Sequence, residues 1–216
     1  MASIRDNDCY GDRKKEVVEK YYLNPLAYLK LIPGQKKNGC CGELKDKFVI
    51  FSYTAIANKE DRGVFFVGYD CAAQMIDLVN EKKKAFKKPL MELPPLFDPM
   101  HNGFSNEMAF MSNINKDILD VILMLASVWD VQNFKGTLPY LLSMISREPL
   151  RHPTLNELTS LNSIIGKDVK ITSGKAKNFR VRLEQENEKL YCPPLLSLRA
   201  VLDFLQADKK IDTIYV

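Results

Sequence analysis

The chain has 216 residues, 46% of them hydrophobic and 27% charged, with 10 Gly and 11 Pro. That composition excludes collagen-like, low-complexity and wholly disordered chains, and a chain of this length buries roughly 70% of its unfolded surface without needing a disulfide or a metal. The net charge of +4 arises from 31 basic residues offset by 27 acidic ones, so composition alone demands no strong polyanion partner.

In chain order, residues 12–32 carry apolar side chains at Val17, Val18, Tyr21, Tyr22, Leu26 and Leu29, a spacing that predicts a helix, with Pro25 kinking or dividing it. Pro33-Gly34 ends it, and the polar run 35–39 is a loop. Phe48 to Phe51 and Gly63 to Val67 are short runs of branched and aromatic residues, predicted as an antiparallel hairpin across a polar connection. Asp70 is suited to cap a helix running to residue 86, with Ala72, Met75, Ile76 and Val79 on one face.

Pro89, Pro94, Pro95 and Pro99 then fall within eleven residues, a density that neither a helix nor a central strand survives. From residue 105 the pattern is helical, with predicted helices at 116–131, 138–147, 155–165 and 195–206. Thr154 and Glu157 form a capping box before the third, and Gly166 is its expected terminator. Residues 179–190 fit a helix or a strand. The expected fold is therefore α+β: a hairpin-plus-helix module over 1–88, a proline-rich linker over 89–103 and a mainly helical domain over 104–216.

The first residues contain no apolar core of the kind a secretory signal needs, and the apolar run 118–129 is interrupted by Asp120. It falls far short of the ~20 residues that span a bilayer. Five cysteines at irregular spacing do not form the framework of a secreted disulfide scaffold. A cytoplasmic chain with reduced thiols and no membrane partner is expected.

Lys82, Lys83, Lys84, Lys87 and Lys88 form one dense basic cluster, which either faces nucleic-acid phosphates or complements a helix end. Arg13, Lys14 and Lys15 form a smaller one, and Lys167, Lys170, Lys175, Lys177, Arg180 and Arg182 a looser third.

The most specific constellation is Asn38-Gly39-Cys40-Cys41-Gly42, then the hairpin, then Gly68-Tyr69-Asp70-Cys71 at a helix start. Over about residues 36–86 this resembles the treble-clef zinc fingers, whose knuckle supplies a Cys-x-x-Cys-Gly pair and whose helix start supplies the remaining ligands. The resemblance implies zinc as the cofactor, held by Cys40, Cys41 and Cys71. The sequence departs from the pattern at Asn38 and Gln74, two expected ligand positions, and Cys9 is distant. Less than one zinc per chain is therefore expected, with no other cofactor. A nucleophilic Cys71 is disfavoured by Asp70 beside it and by the sequence distance of His101 and His152.

Without a complete catalytic motif, the first functional expectation is a non-enzymatic binding or adaptor protein with a protein partner or as a homo-oligomer. The alternatives are a nucleic-acid-binding accessory protein using the Lys82 to Lys88 cluster with the cysteine module, and an enzyme whose site is assembled from scattered residues.

Overall fold

The computed structural model describes residues 4, 9–84, 91–100, 110–172, 179–186, 190, 192 and 194–216. They are α+β: a sheet in the N-terminal part, followed by helices. One unit comprises Met1–Asp98 with Leu125–Lys135, the other Pro99–Met124 with Gly136–Val216.

In the first unit, α1 (Arg13–Lys20) leads directly into β1 (Tyr21–Lys30). A short hairpin of β2 (Lys37–Gly39) and β3 (Gly42–Leu44) follows, then β4 (Lys47–Ala55), β5 (Arg62–Gly68) and α2 (Tyr69–Lys84). With β6 (Leu96–Phe97), the main sheet runs in the order β5-β4-β1-β6. The predicted hairpin is β4 and β5, paired antiparallel with Phe51 opposite Phe65 and their rings stacked at 5.5 Å.

Alternation along the strands sorts the two sheet faces. Val49, Phe51, Phe65 and Val67 join the core that contains Ala72, Met75, Ile76 and Val79 of α2. Phe48, Ile50 and Phe66 have the opposite parity, and Phe66 meets the Phe134 ring of the 125–135 segment at 6.0 Å. A strand covered on both faces reads as a continuous apolar run, which is what β4 shows.

Lys37 anchors that segment. The residue is 3% exposed, and its ammonium donates to the carbonyls of Ala126, at 2.8 Å, and Trp129, with the Phe48 and Phe66 rings 5.7 and 5.8 Å away. A helix end leaves its last carbonyls without intrahelical donors and carries partial negative charge, so a cation there is favoured. Burial nonetheless pushes the Lys37 ammonium down to about 8, with Asp130 pulling the other way.

The helix α3 (Asn113–Val128) belongs to the second unit up to Met124. That unit adds α4 (Thr137–Arg147), α5 (Leu155–Thr172), α6 (Phe179–Glu186) and α7 (Leu196–Ala207). The capping box forms as expected: the Thr154 backbone N–H donates to Glu157 Oε2 at 2.6 Å, and the Glu157 N–H donates to Thr154 Oγ1 at 3.3 Å. Asp117 Oδ2 accepts from the Leu198 N–H at 2.9 Å in the first turn of α7. The last residues are held where Asn162 donates to the Thr213 carbonyl and accepts from the Tyr215 N–H.

The structure corrects two local expectations, the helix over residues 12–32 and the terminator Gly166. Residues 12–32 are not one helix: β1 takes over at Tyr21, and a register shift between Pro25 and Ala27 moves the side-chain alternation out of phase. That slip makes a two-residue period resemble a helical one. Gly166 does not stop α5 but lies within it, against the Tyr215 ring, which occupies the place a Cβ would need. Within the expected linker 89–103, the described residues 91–100 include β6, paired parallel to β1, and Phe97 is buried. Residues 179–186 resolve to a helix. Among the described residues no helix is long and apolar enough to cross a membrane.

Candidate metal centre

Cys40 and Cys41 form the two-residue turn of the β2–β3 hairpin, between paired Gly39 and Gly42. Gly42 has φ +102, a backbone conformation in which a side chain is strained, so glycine permits the turn. The turn is pinned to the sheet where the Cys40 N–H donates to the Phe66 carbonyl at 2.8 Å. The Cys9 N–H donates to the Cys40 carbonyl at 3.4 Å, bringing the segment before α1 alongside the turn. Cys71 sits in the first turn of α2.

Three sulfurs meet in this corner. Cys9, Cys40 and Cys41 place their Sγ atoms within 4.8 Å of one another, and these three residues can hold a metal ion. The structure joins Cys9 to Cys40 as a disulfide, with Cα atoms 5.4 Å apart. Cys41 Sγ lies 3.7 Å from Cys40 Sγ and donates to the Cys9 carbonyl at 3.1 Å. Cys71 lies outside the triplet, near enough to Cys41 for its thiol to act on the Cys41 thiol.

Burial is graded across the corner: Cys9 and Cys40 are buried, whereas Cys41 and Cys71 are half-buried. The latter two line a cavity of about 410 Å³ together with Glu43, Lys45, Asp46 and Tyr69. Burial first, and then the Cys71 thiol, push the Cys41 thiol up to about 12, while Lys14 acts in the opposite sense. Lys14 is itself buried and donates to Gln74 Oε1 at 2.6 Å. Gln74 is thus engaged with a cation, which agrees with reading its amide as no metal ligand.

Of the three expected ligands, Cys40 and Cys41 lie in the triplet, and Cys71 lies outside it on the lining of the cavity that Cys41 shares. The structure adds Cys9, whose 31-residue separation from Cys40 hides the contact from any local motif. The treble-clef order of knuckle, hairpin and helix is present in the chain, but the described triplet draws on the segment before α1 in place of Asn38.

The lysine cluster is described only in part. Lys82 is exposed and its Nζ donates to the Val18 carbonyl at 3.3 Å. Lys83 and Lys84 belong to the last turn of α2, and Lys87, Lys88 and His101 lie outside the described residues. In the third basic group Arg180 pairs with Glu184 at 2.9 Å.

Neither a curated protein nor a solved structure matches the chain. A family model does, over residues 6–191, a span that takes in Cys9, Cys40, Cys41 and Cys71, and the chain belongs to that family, described as Uncharacterised conserved protein UCP028583.

Proposed function

We propose that the chain is a non-enzymatic binding protein of the cytoplasm, acting on a protein partner or a second copy of itself, and that zinc holds its N-terminal unit in shape. The ligands in this reading are Cys9, Cys40, Cys41 and Cys71. The observation that carries it is the convergence of three Sγ atoms within 4.8 Å, with a fourth cysteine lining the same cavity as one of them. A tetrahedral zinc with sulfurs at about 2.3 Å sets its ligands about 3.8 Å apart, close to the 3.7 Å between Cys40 and Cys41.

A four-thiolate site is closed, with no position left for substrate or water, so it holds shape and does no chemistry on a bound molecule. That favours a binding role over an enzymatic one. Binding to nucleic acid through Lys82, Lys83, Lys84, Lys87 and Lys88 is the alternative proposal. A salt titration of duplex or single-strand binding separates it from a protein partner, because phosphate contacts weaken steeply with salt.

The test is elemental analysis of protein purified under reducing conditions, alongside Cys41→Ser and Cys71→Ser. One tightly held zinc per wild-type chain, lost in both variants, supports the reading. A zinc-free wild type that remains fully folded overturns it.

A further inference from the structure

Two features of the cysteine corner belong to different chemical states. A four-thiolate centre needs Cys9 and Cys40 reduced, whereas the structure bonds them to each other. Cys9 and Cys40 are the buried pair, and Cys41, which touches Cys40, lines the cavity. An oxidant arriving from solvent through that cavity meets Cys41 or Cys71 before it meets the pair that ends up bonded.

We propose that the centre is a redox-gated metal site, in which a hydroperoxide entering by the cavity reacts at Cys41 and the oxidation passes inward to the Cys9–Cys40 disulfide, releasing the metal. The proposal rests on the zinc reading above. In the first step the Cys41 thiolate attacks a peroxide oxygen. The O–O bond breaks, Cys41 becomes a sulfenic acid, and the other oxygen takes a proton and leaves as an alcohol, or as water from hydrogen peroxide.

The Cys40 thiolate, 3.7 Å away, then attacks Cys41 Sγ. A Cys40–Cys41 bond forms and the sulfenic oxygen leaves as water after taking a proton. Adjacent Cα atoms lie about 3.8 Å apart, well inside the ~4.4–6.8 Å span of ordinary disulfides, so this bridge between neighbours is strained and readily exchanged. The Cys9 thiolate attacks Cys40 Sγ, the Cys9–Cys40 bond forms, and the electron pair of the broken bond returns to Cys41, which takes a proton.

The 5.4 Å Cα separation of Cys9 and Cys40 falls within the ordinary span, so the exchange ends there. In sum, Cys9 and Cys40 lose two electrons and the hydroperoxide gains them. The metal loses two of its four ligands and leaves as a dication, and Cys71 is protonated. Reduction of the disulfide restores all four thiolates.

The test treats reduced, zinc-loaded protein with one equivalent of hydrogen peroxide. Zinc release is followed with a chromogenic chelator, pairing by peptide mapping without reductant, and sulfenic acid by dimedone capture. The expected result is one zinc released for each Cys9–Cys40 disulfide formed, dimedone on Cys41, and full reloading after dithiothreitol and added zinc. Retained zinc, a Cys41–Cys71 bridge as the stable product, or dimedone on Cys9 or Cys71 overturns the proposal.

In Cys41→Ser, formation of the Cys9–Cys40 bond should slow at least tenfold, and an unchanged rate overturns the relay. The wild-type dimedone and mapping measurements stand whether or not that variant folds. A wild type that never loads zinc is the separate failure of the zinc reading, visible before any peroxide is added.

Discussion

Each unit draws charge out of solvent near a helix end, and the two do so with opposite signs, Lys37 being buried and Asp117 half-buried. In the first, Lys37 brings a cation to the carbonyls of Ala126 and Trp129 at the end of α3. In the second, Asp117 of α3 brings a carboxylate to the first turn of α7, with Asp120 one turn further along α3. Both placements follow the helix dipole, and both resist the charge. Burial lowers Lys37, and it raises Asp117 despite the Leu198 and Ser197 N–H groups. Burial and then the Asp117 charge push Asp120 up to about 7. The dipole selects which sign is tolerated at a helix end, while desolvation sets what that tolerance costs.

The sharpest way to break the comparison is at Lys37. Lys37→Ala strips both carbonyls of their donor and empties a packed site, and should destabilise the protein by about 3 kcal/mol at neutral pH. Lys37→Met keeps the volume and should cost about half as much. Because folding lowers the Lys37 pKa to about 8 from 10.5, between those values the unfolded chain holds a proton that the folded one has released. Wild-type stability relative to Lys37→Met should therefore rise from pH 8 to 10.5 in urea melts. A difference that stays flat with pH contradicts a buried, strained ammonium.

The carboxylate pair predicts the opposite slope. A folded-state pKa raised from 3.8 to about 7 contributes stability that is complete below about pH 4 and lost as pH climbs through 7. Asp120→Asn should remove most of that slope and stabilise the protein at pH 7.5 by about 2 kcal/mol. Thermal melts of both proteins at pH 5 and 7.5 measure it, and equal destabilisation at both pH values would mean that Asp120 is not a strained carboxylate.

The smallest effect is at the start of α5. There Glu157 is raised by burial, but the Thr154 and Arg151 hydrogen bonds win and hold it below the usual carboxylate range. Thr154→Ala should cost about 1 kcal/mol, read by chemical denaturation.

The capping box was legible because everything it needs lies within four residues. The β4–β5 hairpin was legible for a similar reason, since its two apolar runs flank one polar connection. β1 was not, because the register slip at Pro25 and Ala27 disguises its period. Lys37 sits in a polar run that looks like a loop, and its burial is set by a segment about ninety residues later in the chain. The cysteine corner lies between these cases. The Cys40–Cys41 turn and Cys71 at a helix start were visible in order and spacing. Cys9 was not, because only the pairing of its backbone with Cys40 brings it there.

The central claim is that four thiolates share one ion, and zinc K-edge X-ray absorption on the reduced protein tests it most directly. The account predicts one zinc per chain with four sulfur neighbours at about 2.3 Å and no nitrogen or oxygen in the first shell. A zinc bound by two sulfurs or fewer, or a reduced, folded chain that takes up none, would contradict it.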